Sequence, residues 1–375
     1  MPGAPSDRPF LLLIVVATSA LSGCRGVDDR AERAYFSGER RAAIDLLRDR
    51  ADTDVMAYAL TQSQLASVAL QEQRFDVAEA ALLEAAKLTD DVGGVLPDPV
   101  AAADRRKAGY LYRNHPHERV LNAIYRSLLA IARNDLETAA TSIEPVWASA
   151  PESARSDSEA VVPDWVSTAH ALDAWIDQRR GRPLSAELHR TLVAPPVGPL
   201  PERALRSNVL VWIDTDWGPR RVLPEGETQP RYEAMPARIS RLEARVDGES
   251  IPLVTSLDVG AEAKQAATGR DRASVKLIGD DNEVVGGLVS VFNQSLRLMT
   301  VWAQAPQDTR HWTWMPGLCR LSWLQLEPGP HLVEIRGFDD SGDEWSDLRV
   351  TRTIEAGDGV TLVYARLSPP PLPPR

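Results

Sequence analysis

Apolar residues follow two different spacings along the chain, and the change occurs near residue 200. From residue 27 to about residue 192, apolar side chains recur three and four positions apart in sequence rich in Ala, Leu, Arg and Glu, which predicts helices. Beyond Pro201, apolar and polar residues alternate in short stretches bounded by turn residues, which predicts strands. The clearest of these stretches are residues 208–213, 320–326, 331–336 and 360–365. We therefore expect an α+β fold, with an all-α N-terminal half followed by a β-rich antiparallel sheet or sandwich.

The helical half contains three stretches of similar pattern, which begin at Gly38, Gln73 and Asn134. Each has a turn, an Ala three residues after a large side chain, and a bulky apolar residue four positions further on. Arg40 and Phe75, at equivalent positions, are 35 residues apart, close to the 34-residue period of tetratricopeptide (TPR) repeats. The pattern predicts a TPR-like helical-hairpin array over residues 24–192 that offers a groove to a protein partner. A helical-hairpin bundle without TPR ancestry is the alternative, because the Trp of the TPR consensus is absent.

Proline marks the boundary between the two halves. Four prolines fall within residues 195–201, which a helix cannot accommodate. We therefore predict a Pro-rich linker over residues 193–203, a β-rich domain over residues 204–367 and a polyproline tail over residues 368–375. Apolar residues at helical spacing between Leu288 and Trp302 predict one or two helices packed on the sheet.

The first residues of the chain predict export. The apolar run from Phe10 to Ala17 is about half the ~20 residues that a membrane-spanning helix needs. It is followed by Leu21-Ser22-Gly23-Cys24, which resembles the lipobox of bacterial lipoproteins. This resemblance implies a signal peptide over residues 1–23, acylation of Cys24 and anchoring in a lipid bilayer. The alternative is an ordinary signal peptide with a chance cysteine. Arg25, in place of Asp, implies the periplasmic side of the outer membrane.

Composition limits the possible partners and chemistry. The chain has 42 basic and 53 acidic residues, a net charge of −11, so no field attracts a nucleic-acid backbone and no nucleic-acid partner is expected. There are only two cysteines. Once Cys24 is acylated, Cys319 is the sole thiol, and its alternating apolar surroundings predict a buried strand thiol.

No pattern in the sequence predicts catalysis, so we expect a non-enzyme without a cofactor. The G-x-S-x-G, P-loop, G-x-G-x-x-G and H-E-x-x-H motifs are absent. We interpret Asp214 and Asp216 as residues that end a strand and begin the following turn.

One short stretch offers candidate metal ligands in His115, His117 and Glu118. Pro116 between the histidines favours the start of a helix instead, with Glu118 in its first turn. No metal site is therefore predicted.

A family resemblance appears near residue 310. The run Asp308-Thr309-Arg310-His311-Trp312-Thr313-Trp314-Met315-Pro316, followed by Leu326-Glu327-Pro328-Gly329-Pro330-His331, resembles the D-T-R-x-W … L-P … L-P-x-G-x-H signature of an uncharacterised family of bacterial envelope lipoproteins. Met315 departs from the usual Leu. The resemblance implies a lipobox, a TPR-like half and a β-rich half. Because some members accompany activators of peptidoglycan synthases, it also implies a cell-wall role.

The residues of this signature have two possible uses. In the first, Asp308 and Arg310 form an internal bridge while Trp312 and Trp314 fill the core. In the second, the four side chains form a binding patch for glycan, peptide or a partner. Seven of the ten tryptophans follow the proline boundary, so any such specificity belongs to the C-terminal half.

The sequence as a whole predicts a non-enzymatic outer-membrane lipoprotein that acts as a TPR-type protein-binding scaffold in envelope or cell-wall assembly. The alternative is a peptidoglycan-binding, carbohydrate-binding or carbohydrate-active envelope protein that uses its C-terminal tryptophans.

Overall fold

The structure of the chain is a computed structural model. It describes residues 25–87, 112, 114–149, 163–195, 197–225, 227, 230–264 and 309–369. Four predicted features lie outside these residues: the signal peptide predicted over residues 1–23 together with Cys24, the helix predicted over residues 288–302, Asp308, and most of the tail. Helices predominate before residue 206 and strands after it, which confirms the α+β fold.

Eight helices of the described chain form four hairpins of two helices each. The hairpins are α1 (Arg25–Phe36) with α2 (Arg40–Thr53), α3 (Tyr58–Gln71) with α4 (Phe75–Ala86), α5 (Pro116–Ala132) with α6 (Leu136–Ser149), and α7 (Asp164–Arg179) with α8 (Pro183–Thr191). A 3-10 turn over Val55–Ala57 leads into α3, and the short α9 (Glu202–Leu205) precedes the first strand. None of the helices that the structure describes has the length and apolar character needed to cross a bilayer.

All four hairpins are closed by the same kind of turn. One residue in each turn has a positive φ, and an alanine with no exposed surface follows five residues later, where it lets the two helices approach closely. The turn residues are Gly38, Gln73, Asn134 and Gly181, and the alanines are Ala43, Ala78, Ala139 and Ala186. The fourth hairpin was not predicted as a copy of the others. The relation of these hairpins to TPR repeats stays a prediction.

The β-rich half contains two four-stranded sheets and one hairpin. Its strands are β1 (Val209–Thr215), β2 (Arg220–Val222), β3 (Arg231–Glu233), β4 (Arg241–Val246), β5 (Glu249–Ser250), β6 (Val254–Asp258), β7 (Leu318–Leu324), β8 (Gly329–Phe338), β9 (Val350–Ala356) and β10 (Thr361–Leu367). The first sheet has the order β10-β1-β7-β6 and the second β5-β4-β8-β9, while β2 pairs with β3. β1 and β10 are parallel, which departs from the predicted antiparallel pairing, because the last strand returns beside the first.

The elements form three layers, with the first sheet in the middle. Alternate side chains of β1 face opposite sides: Leu210 and Trp212 pack with the helices, whereas Val211 and Ile213 pack against the second sheet. Both faces of β1 are therefore covered, and all seven of its residues are buried. The two sheets pack face to face as the predicted sandwich.

The first sheet also covers one side of the helical array. The first helices of the last three hairpins lie on it: α3 and α5 contact β10, and α7 contacts β6. Every residue of α3 from Tyr58 to Leu70 is buried as a result. We call this covered side the inner face of the array. The groove that the sequence predicts therefore does not lie open on this side.

The proline-rich segment packs against α7. Val193, Val197 and Leu200 are buried together with Ala171 and Ala174 of that helix. The prolines prevent a helix in this segment. Its apolar side chains attach it to the helical array.

Candidate functional site

We call residues 308–317 the signature segment; its described part, residues 309–317, runs through the junction between helices and sheet. Trp312 is fully buried; its indole N–H donates to Ser67 Oγ of α3 (2.8 Å), and its backbone N–H donates to Glu118 Oε1 of α5 (2.7 Å). Trp314, also buried, stacks on the ring of Tyr35 in α1, with centroids 4.9 Å apart. Neither indole presents a face to solvent, so the two side chains belong to the core.

Arg310 and Thr313 tie the same segment to α3 and the turn before it. Arg310 Nη1 donates to the carbonyl of Met56 (3.0 Å), and its guanidinium lies 5.8 Å from the ring centroid of Tyr112. Thr313 Oγ1 accepts a hydrogen bond from Gln64 Nε2 (2.8 Å). Asp308 lies outside the described residues. The three described members of the candidate patch thus contact the helical half of the chain.

Two glycines allow the segment to approach β1 and the turn after it. Gly317 donates its N–H to the carbonyl of Thr215 (2.9 Å), and Gly218 donates to the carbonyl of Met315 (2.8 Å). A Cβ at Gly317 would lie 2.8 Å from the carbonyl oxygen of Trp217, closer than such atoms normally approach. The backbone contact therefore requires glycine.

Glu118 is the buried carboxyl that fixes the start of α5. It accepts hydrogen bonds from the Tyr112 hydroxyl (2.5 Å) and the backbone N–H of His115 (2.7 Å), in addition to the bond from Trp312. Burial raises the pKa of Glu118 from 4.5 to about 7, although these donors and the charge of Arg221 act in the opposite direction. The predicted helix start is confirmed, and this carboxyl also holds the signature segment.

The candidate metal ligands do not converge on one point. The rings of His115 and His117 are parallel with centroids 6.0 Å apart, and both make T-shaped contacts with the ring of Tyr232. Arg221 Nη1 lies 3.2 Å from His115 Nε2, so a cation already occupies this position, while Glu118 is turned toward the signature segment. Within the described ranges no group of three or more His, Cys, Asp or Glu side chains is arranged to hold a metal ion.

A second buried carboxyl, Asp214, joins β1 to α5 and β10. Its Oδ2 accepts hydrogen bonds from the hydroxyls of Tyr125 (2.5 Å) and Tyr364 (2.6 Å), and its Oδ1 accepts from the indole N–H of Trp212 (2.8 Å). Burial, followed by the negative charge of Asp214, raises the pKa of both tyrosines well above the usual value. The carboxylate of Asp214 thus accepts three hydrogen bonds in a site closed to solvent. This network holds β1, α5 and β10 together.

Cys319 lies on β7 beside this network. Its side chain is free of disulfide bonding and fully buried, which confirms the predicted buried strand thiol. Burial and the charge of Asp214 raise the pKa of the thiol well above its usual range. The reactive thiolate is therefore suppressed.

The terminal helix of the array carries an exposed apolar stripe. Leu184 and Leu188 of α8 and Leu192 directly after it are spaced by four residues and expose 88%, 59% and 47% of their surfaces. Five large apolar side chains are exposed in the described chain, and these are three of them. Residues four apart lie on one side of a helix, so the three side chains form one surface, which we call the leucine stripe.

A small open cavity lies between the helical and β-rich halves. Its lining includes Arg179, Arg206 and Asn208, and its volume is about 240 Å³. Small-molecule sites usually enclose roughly 300–1,000 Å³ and are mostly apolar. The cavity therefore does not indicate a small-molecule ligand.

Comparison with known proteins gives no further assignment: no family model, curated protein or solved structure matches this chain. The sequence placed Asp214 at a strand end but missed its network. One sequence feature could have indicated the network: Asp214 directly follows the apolar run Val209 to Ile213. A carboxylate buried beside such a run needs hydrogen-bond partners.

Proposed function

We propose that this protein is a non-enzymatic lipoprotein of the bacterial envelope, held at the periplasmic face of the outer membrane by acylated Cys24, where it binds a protein partner in envelope or cell-wall assembly. The lipobox at residues 21–24 supports the anchor. Helix α1 begins at Arg25, and Ala31 within it is buried. Seven residues of helix rise only about 10 Å, so an acylated Cys24 would hold the folded protein close to the membrane surface.

The leucine stripe is the observation that carries the partner-binding part of this proposal. The inner face of the array is covered by the chain's own sheet, so a partner cannot use it without displacing β10 and β6. Terminal elements of helical arrays normally present a polar outer face. Helix α8 instead exposes Leu184, Leu188 and Leu192, which is the surface that a further helix would cover. We propose a partner that contributes an amphipathic helix with a matching apolar stripe.

Metabolic labelling with radioactive palmitate tests the anchor. We expect label in the wild-type protein and none in the Cys24→Ala variant, together with loss of the variant from the outer-membrane fraction. Equal labelling of both proteins, or no labelling of either, would contradict the anchor.

Reversible crosslinking in intact cells followed by purification tests the leucine stripe. The Leu184→Ser/Leu188→Ser variant should lose a crosslinked protein that the wild type retains. The matched control is Leu83→Ser/Leu332→Ser, which removes two leucines that are 41% and 42% exposed on α4 and β8. Recovery of the same crosslinked protein with both variants, or a crosslink only to a second copy of the chain, would overturn the assignment.

A further inference from the structure

Two histidines meet between the helices of the last hairpin. His170 lies on α7 and His189 on α8, and their Nδ1 atoms are 3.0 Å apart. Both side chains are half-buried, so one edge of the pair is open to solvent. In this arrangement one ring donates its N–H and the other accepts, which places a single proton between the two nitrogens.

We infer that His170 and His189 form a two-histidine site for a divalent transition-metal ion. The ion binds both Nδ1 atoms, the proton of the donor ring moves through solvent from Nδ1 to Nε2 of the same ring, and water completes the coordination. Imidazole nitrogens lie about 2.0–2.1 Å from such ions. Two nitrogens at this distance are about 2.9 Å apart at a right angle and about 3.3 Å apart at a tetrahedral angle. The separation of 3.0 Å thus fits neighbouring ligands of Ni²⁺ or Cu²⁺.

A negative charge lies near the pair, because the charge of Asp177 acts on His189. Arg180, the basic residue on the same side, is engaged by Asp177 (3.4 Å) and Glu137. Burial lowers the pKa of His170 to about 4 and lowers that of His189.

No sequence pattern indicates this site, because the two histidines are 19 residues apart on different helices. A bound ion would link α7 to α8, the helix that carries the leucine stripe. The site does not depend on the proposed function, since it needs neither the lipid anchor nor a partner.

Trp147 provides a local reporter. Its ring centroid lies 4.5 Å from that of His170 and 6.1 Å from that of His189. Ni²⁺ and Cu²⁺ quench indole fluorescence at contact distances, so binding at this pair should quench Trp147. Substitution Trp147→Phe removes this signal and identifies its source among the ten tryptophans.

The test is a titration of the purified mature chain with Ni²⁺ at pH 7.5, followed by tryptophan fluorescence. We expect saturable quenching that disappears in Trp147→Phe and needs at least tenfold more Ni²⁺ in His170→Gln and in His189→Gln. The control variant is His331→Gln, because His331 lies on β8 and pairs with Asp247. Its titration should match that of the wild type.

A second measurement guards against variants that fail to fold. In the wild type, saturating Ni²⁺ should raise the melting temperature, and His189→Gln, judged folded by circular dichroism, should show no such rise. Quenching that is absent from the wild type, or that is unchanged in both histidine variants, would overturn the site.

Discussion

Glu118 and Asp214 show how single buried side chains connect distant parts of this chain. Each carboxyl is fully buried and accepts three hydrogen bonds, including one from Trp312 to Glu118 across 194 positions and one from Tyr364 to Asp214 across 150 positions. A buried carboxyl without such donors would cost several kcal/mol, so the partners are required rather than incidental. Trp312 donates one of the bonds to Glu118, and this bond holds the signature segment in a fixed position.

The raised pKa of Glu118 predicts a pH dependence of stability. In the unfolded chain this carboxyl titrates near 4.5 and in the folded chain near 7, so between these values the folded state binds more protons. The free energy of unfolding should therefore fall as the pH rises from 4.5 to 7, by about 3 kcal/mol from this group. Urea unfolding at several pH values should show a smaller fall in Glu118→Gln. An identical fall in variant and wild type would contradict this.

The core position of Trp312 predicts a cost for losing its indole N–H. Trp312→Phe removes the hydrogen bond to Ser67 and leaves space in the core, so the free energy of unfolding should drop by roughly 2–4 kcal/mol. Trp323→Phe is the matched control, since Trp323 is half-buried and its indole N–H makes no hydrogen bond with the described chain. A folded Trp312→Phe protein of unchanged stability would argue for a surface role.

The helical hairpins could be predicted from local sequence patterns, whereas the pairing of distant strands could not. The spacing of Ala43, Ala78 and Ala139 predicted three hairpins, because helix crossing requires a small residue at that position. The fourth hairpin was not predicted, because Arg190 stands where the other copies have a buried apolar residue. The parallel pairing of β1 with β10 joins strands about 150 residues apart, and no local pattern encodes it.

Close packing between the signature segment and the β1–β2 turn predicts a requirement for glycine. Gly317→Ala would bring its Cβ within 2.8 Å of the backbone oxygen of Trp217, so we expect a loss of about 1–3 kcal/mol in thermal or urea unfolding. Gly357→Ala has no atom within 4 Å of the new Cβ and should change stability by less than about 0.5 kcal/mol. Equal effects of both substitutions would contradict the close approach.

For the whole molecule, the helices and the first sheet share one apolar core. This core runs from Leu47 and Leu82 of the array through Trp312 to Leu210 and Tyr364 of the sheet. The sequence predicted two halves on either side of a proline boundary, but no local pattern could predict that the sheet would cover the inner face of the array. For this reason we propose the outer surface at α8 as the partner-binding surface.

A shared core predicts that both halves unfold together. Scanning calorimetry of the purified protein should show one transition, and Trp312→Phe should lower its midpoint without splitting it. Two separate transitions in the wild type would show that the halves are independently stable.

Site-specific photo-crosslinking in cells is the most direct test of the central claim that α8 is the partner-binding surface. A photoreactive amino acid in place of Leu188 should form one dominant adduct with another envelope protein, whereas the same amino acid in place of Leu83 should form little of it. Adducts of equal yield from both positions, or none from residue 188, would contradict the account.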